Sequence, residues 1–134
     1  MSPKIRQYTF HWLPLVVYCA MVFMQSAYPA PEKLPSFFLM DKMIHFTLYA
    51  VMGLLFYRAY KILPLAHRPQ LLMLLSFVSA SLYGISDEIH QYFVPYREAD
   101  FFDVVADALG AACGVYLYHY WLLPKILNCR AKRQ

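Results

Sequence analysis

Polar and charged residues come in bunches along this chain, and the runs between them are apolar over most of their length. The runs extend roughly from Tyr8 to Ala27, Ile44 to Leu63, Leu71 to Ser86 and Phe101 to Leu123. A helix rises about 1.5 Å per residue, so a hydrocarbon core of about 30 Å takes about 20 residues to cross. The third run reaches that length when Asp87 to Gln91 carry it into the headgroup layer. The expected spans are therefore residues 8–27, 44–63, 71–91 and 101–123. Proline punctuates the gaps: Pro29, Pro31 and Pro35 after the first run, Pro64 and Pro69 after the second, Pro95 after the third. Its ring and missing N–H stop a helix there. No repeat is visible, and the pattern predicts one all-α domain over residues 1–134, a bundle of four transmembrane helices.

Composition narrows the class further. Hydrophobic residues make up 60% of the chain and charged residues 15%, where a soluble domain carries about a quarter charged. Cys19 and Cys113 fall inside spans and Cys129 beyond the last one, so three free thiols are expected rather than a disulfide framework. Lys4 and Arg6 before an apolar run would suit a secretion signal. Cleavage after Ala27 or Ala30 would leave Gln25 or Tyr28 at the −3 position, and neither is small. The first span is expected to stay as an anchor.

The net charge of +4 suggests nucleic acid only until the charges are located. Lys4, Arg6, Arg58, Lys61, Arg68, Lys125, Arg130, Lys132 and Arg133 share one side of the predicted bundle. Lys33, Lys42 and Arg97 share the other, together with all eight acids. The cation-rich side is cytoplasmic by the positive-inside rule, which puts both termini there. The basic balance is a topology signal. No nucleic-acid module, P-loop or dinucleotide fingerprint is present, and the expected partner is the bilayer itself. Tyr8, Trp12, Tyr57, Tyr60, Tyr120 and Trp121 would form an inner aromatic belt, with Tyr28, Phe37, Tyr92, Phe93, Tyr96 and Phe101 as the outer one.

Candidate chemistry gathers at the outer end. The second span enters through Asp41-Lys42-x-x-His45, and Asp41 and His45 lie one turn apart on one face. The third leaves through Ser86-Asp87-Glu88-Ile89-His90-Gln91, and the fourth enters through Asp103-x-x-x-Asp107. Arg97, just after Pro95, is the one guanidinium on this side. Ionisable groups at a membrane boundary usually face the bundle interior and serve a function. Adjacent carboxylates such as Asp87 and Glu88 repel unless compensated, and Arg97, Lys42, His45 and His90 are the candidates to do it. Ser76, Ser79, Tyr83, Asp87 and His90 follow one helical stripe suited to interhelical hydrogen bonds, and Gly110-x-x-x-Gly114 suits close helix packing.

These stretches, in this order and spacing from Asp41 to Gly114, resemble the VanZ-like family of small bacterial membrane proteins. Asp107 stands where relatives often carry Asn, which adds one acid. The resemblance implies a four-span protein of the bacterial cytoplasmic membrane, tied to the cell envelope. The family takes its name from a member linked to low-level teicoplanin resistance, and no reaction comes with the name. The ligand-binding set expected is Asp41, Lys42, His45, Asp87, Glu88, Gln91, Arg97, Asp103 and Asp107, recognising an envelope lipid or glycolipid headgroup. Arg97 and Lys42 would meet phosphate while the carboxylates orient them and bind sugar hydroxyls. Two alternatives stand beside it. One is a membrane-embedded hydrolase or transferase drawing its base from Asp41, His45, Asp87 or Glu88 and its nucleophile from water. The other is a structural subunit that binds a membrane protein partner. Carboxylates plus imidazole could hold a divalent metal, but His-x-x-x-His and Cys ligand spacings are absent, so no cofactor and no firm metal site is expected.

Overall fold

The computed structural model describes residues 2–28, 38–95, 97 and 99–131, with the side chains of residues 38, 66 and 128–130 excepted. Glu32, Lys33, Tyr96, Glu98, Phe37, Lys132, Arg133 and the prolines at 29, 31 and 35 lie outside the described residues, as do the Cys129 and Arg130 side chains. Among the described residues the chain is helical, without strands: α1 Pro3–Ala27, α2 Phe38–Tyr60, α3 Pro69–Gln91, α4 Phe101–Leu117 and α5 Leu123–Ala131. Four segments are long and apolar enough to cross a membrane, the fourth running from α4 into α5. Large apolar side chains stay on the outside of the bundle, among them Leu13, Val17, Met21, Leu74, Leu82, Leu109 and Tyr116. The protein is a multi-pass membrane protein whose hydrophobic outer face meets lipid tails rather than water.

The helices overrun the apolar runs that announced them. The first begins at Pro3 rather than Tyr8, because Ser2 caps it by accepting from the Ile5 N–H at 3.3 Å and Pro3 suits a first turn. Pro14 sits inside α1 without ending it. A proline cannot donate to the carbonyl four residues back, here Phe10, and the Arg58 Nη2 group donates to that oxygen at 2.9 Å instead. The second helix begins at Phe38, earlier than residue 44, and so includes Asp41 and Lys42 in its opening turns. It stops at Tyr60, because Leu63 precedes Pro64 and takes an extended conformation. The fourth span passes through a wide π turn, Tyr118–Leu122, where the Leu123 N–H bonds to the Tyr118 carbonyl. Pro124 follows at once, and the widened turn absorbs its missing donor.

Successive membrane-crossing segments alternate direction, so α2 and α4 run parallel, and they are the most closely packed pair. Their approach is set by glycine. A Cβ added at Gly110 would strike the Phe46 carbonyl and one at Gly114 the Ala50 carbonyl. Gly53 meets the Ala111 backbone in the same way from the other helix. Small residues let two backbones touch where lipid supplies no hydrophobic drive for association. Tyr49, Met52, Ala80, Val22 and Ala111 fill the centre of the bundle. Tyr57, expected in an aromatic belt, is instead buried, packed with Leu72, Val115 and Tyr118 and hydrogen-bonded to His119 Nδ1 at 2.6 Å.

Candidate functional site

The close α2–α4 contact brings the first turns of both helices side by side, and the acids and bases of each meet there. Lys42 Nζ lies 2.6 Å from Asp103 Oδ1, 2.6 Å from Asp100 Oδ2 and 3.1 Å from Asp41 Oδ2. The ammonium is largely buried while its three donors point at three carboxylates. Asp100 also caps α4, accepting from the Phe102 N–H at 2.9 Å. Lys42 beside it holds the Asp100 carboxyl below the usual Asp range. The Asp100 N–H donates to Glu88 Oε2 at 3.0 Å, which ties the loop before α4 to α3.

One turn deeper, His45 Nδ1 and Asp107 Oδ1 share a hydrogen bond of 3.0 Å. The same ring nitrogen is 4.0 Å from Glu88 Oε1, and His45 Nε2 is 3.9 Å from Asp103 Oδ1. All four groups are buried, Asp107 to 1% exposure. Gly84 makes this possible: a Cβ there would meet the Asp107 carboxylate and the Tyr49 ring. His45, Glu88 and Asp107 each present one ligand-type atom, and the three atoms lie within 4.8 Å of one another.

The third part of the site involves α1, which the sequence marked only as an anchor. Ser26 Oγ donates to Asp87 Oδ2 at 2.9 Å, and the Gln91 amide donates to the same oxygen at 3.2 Å. Arg97 crosses to the end of α1, donating from Nε to the Tyr28 carbonyl and from Nη2 to the Gln25 carbonyl, each at 3.2 Å. A cation there satisfies carbonyls left without partners at a helix C-terminus and meets the negative end of the helix dipole. Ser26, Asp41, His45, Tyr49, Asp87, Gln91 and Arg97 line a polar cavity of about 110 Å³. Within this end of the bundle the Tyr49 hydroxyl, Asp87 Oδ1, Glu88 Oε1 and Asp107 Oδ2 are buried without a hydrogen-bond partner among the described residues.

The structure brings together every residue of the expected set: Asp41, Lys42, His45, Asp87, Glu88, Gln91, Arg97, Asp103 and Asp107 lie at one end of the bundle. The pairing differs from expectation. Asp87 and Glu88 are balanced by Ser26, Gln91 and His45, while Arg97 serves backbone carbonyls and Lys42 the carboxylates of α2 and α4. His90 takes no part in that balance and packs on Phe23, ring centroids 4.6 Å apart. Of its stripe, Ser79 bonds to Tyr60 and Tyr83 to the Cys19 carbonyl, both across helices, while Ser76 turns back to Leu72 of its own helix. Cys19 and Cys113 are free thiols. Ser26, Tyr49, Gly84 and Asp100 are the contributors that sequence reasoning missed.

Comparison with known proteins fits this layout. A curated relative, the uncharacterized protein C11E3.10 of Schizosaccharomyces pombe, is 29% identical over 118 residues. The match covers 86% of this chain and 66% of that protein, so the chain spans just under two thirds of the relative's length. No solved structure matches. The profile of the VanZ/LLP1 family matches residues 4–123, which takes in all four membrane-crossing helices and the whole polar cluster. The chain belongs to the VanZ/LLP1 family.

Proposed function

We propose that the protein binds the phosphorylated or glycosylated headgroup of a membrane lipid in the polar cavity at the Asp41–Asp107 end of the bundle. The observation that carries this reading is the cavity itself. Its volume of about 110 Å³ compares with roughly 30 Å³ for one water, room for a phosphate-sized group. Its walls combine a guanidinium, an imidazole, two amides and a serine with two carboxylates. Two buried groups that reach it, the Tyr49 hydroxyl and Asp87 Oδ1, have no hydrogen-bond partner among the described residues. A buried polar group without a partner costs about 1–3 kcal/mol, and a ligand that supplies the missing bonds recovers it.

The neighbourhood suits an amphiphile. An apolar groove of about 400 Å³ lies between α1 and α3, lined by Phe23, Tyr83, Ile89, His90 and Phe93, and Asp87 borders both this groove and the cavity. A lipid chain in the groove would deliver its headgroup to Asp87. Arg97 keeps donors beyond the two it spends on α1, and a guanidinium binds a carbonyl and a phosphate together where an ammonium offers one point charge. Lys42 is engaged with three carboxylates, so in this reading it sets the local charge rather than meeting phosphate.

Location follows the charge pattern. The cation-rich end of the chain belongs in the cytoplasm, which sets the polar cavity at the outer leaflet, in a bacterial cytoplasmic membrane by family resemblance. An envelope role, and any link to glycopeptide resistance, comes by the family name. The test is binding of a phosphorylated polyprenyl lipid to the detergent-solubilised full chain by native mass spectrometry. Arg97→Lys should weaken binding at least tenfold while the melting temperature shifts little. Equal binding by the well-folded Arg97→Lys chain would end the reading.

A further inference from the structure

The Lys42 ammonium lies within 3.1 Å of the carboxylates of Asp41, Asp100 and Asp103. Glu88 and Asp107 are 5% and 1% exposed and share one imidazole, His45. Each also carries an oxygen without a hydrogen-bond partner among the described residues, Oε1 of Glu88 and Oδ2 of Asp107. Isolated carboxylates taken out of water cost far more than a missing hydrogen bond, so they are paired, protonated or bound to a cation. Serine and glutamine donors meet Asp87 Oδ2 nearby, but among the described residues no such donor reaches Glu88 Oε1 or Asp107 Oδ2.

We infer that His45, Glu88 and Asp107 form a divalent-cation site between α2, α3 and α4. The distances suit one. Ligand atoms about 2.1 Å from a metal, at tetrahedral or octahedral angles, stand about 3.0–3.4 Å apart. The His45 Nδ1 distances to Asp107 Oδ1 and Glu88 Oε1, 3.0 Å and 4.0 Å, bracket that spacing, and all three ligand atoms fall within 4.8 Å. A shift of Glu88 Oε1 toward His45 Nδ1 would bring that pair from 4.0 Å into the range. One imidazole nitrogen with two carboxylate oxygens selects a cation of the Mn²⁺ or Zn²⁺ kind over a thiophilic metal. Three protein ligands leave positions for water or a ligand oxygen, as in open rather than closed sites.

Asp41, His45 and Asp103 make a second group of the same geometry, but its carboxylates already hold Lys42. A groove lined by Glu88, Ile89, Phe93, Asp100 and Phe101 borders Glu88 on the outside of the bundle. Gly84 leaves the space in which the Asp107 carboxylate sits. The site stands on these contacts alone and does not require that a lipid headgroup bind next to it.

The experiment uses the full chain in detergent, stripped with chelator and titrated with Mn²⁺ alone while electron paramagnetic resonance follows the free ion. Saturable binding of about one ion per chain is expected, with a nitrogen coupling from His45 in the bound spectrum. Glu88→Gln and Asp107→Asn should each weaken binding at least tenfold, and His67→Gln at the opposite end should leave it within twofold. Native chain that shows no saturable uptake of Mn²⁺ or Zn²⁺, or a bound ion lacking nitrogen coupling, overturns the site. So does undiminished binding by a folded Glu88→Gln chain. If either variant fails to fold, the stoichiometry and nitrogen coupling of the native chain decide the matter.

Discussion

Lys42 illustrates how much one side chain arranges here. Its three contacts reach residues on two helices and the loop between α3 and α4, and they fix the depth at which Asp103 enters the bundle. Asp100 lies just before α4, outside the membrane-crossing segment, where its titration can be read in water. Its folded-state pKa lies below the ordinary value because Lys42 stabilises the ionised form. The linkage sign follows: unfolded chain binds the proton more readily, so this contribution is complete above the ordinary Asp pKa of about 3.9 and is lost as pH falls through the lower folded value. Asp100→Asn keeps a capping side chain and removes the charge. The melting-temperature gap between native chain and Asp100→Asn should be constant from pH 5 to 8 and shrink below about pH 4. A gap that persists unchanged into stronger acid would show that the Lys42 contact is not the cause.

At the scale of elements, the α2–α4 pair is the frame on which the site is mounted. Gly114→Ala would drive a Cβ into the Ala50 carbonyl, and overpacking of this kind costs about 1–3 kcal/mol. The methyl also favours helix by about 1 kcal/mol, so only a net loss of stability supports a tight contact. Thermal melting in detergent measures it, and an unchanged or raised midpoint would place the helices further apart. Much of this frame was legible in the chain. Gly110-x-x-x-Gly114 predicted close packing, and the i, i+4 pairs Asp41/His45 and Asp103/Asp107 predicted faces that meet. What escaped notice depends on backbone groups that composition cannot show. The carbonyl freed by Pro14 draws Arg58, the carbonyls at the end of α1 draw Arg97, and Pro124 widens the turn before it. Ser26 was hidden for another reason: a lone serine at the end of an apolar run carries no periodic signal, and only the fold sets it beside Asp87.

Over the whole molecule, polarity is divided between the two ends. Arg58, Lys61, Arg68 and Lys125 sit at one end and the carboxylate cluster at the other. In a background without the three native cysteines, His67→Cys should react with an impermeant maleimide only after the cells are opened, and Phe93→Cys should react in intact cells. The reverse pattern would invert the topology and put the site in the cytoplasm. In this reading the buried acids are kept for a ligand and not to hold the helices together. Natural sites of this kind are maintained against stability. The most direct measurement is the melting temperature of Glu88→Gln against native chain, ligand-free and in chelator at pH 7. Glutamine keeps an oxygen for the Asp100 N–H and replaces the orphan oxygen Oε1 with a donor among acids. The expected result is a midpoint unchanged or raised by a few degrees, with cation binding weakened at least tenfold. A fall of about 4 °C or more, roughly 1 kcal/mol for a domain of this size, would make the cluster a structural brace and contradict it.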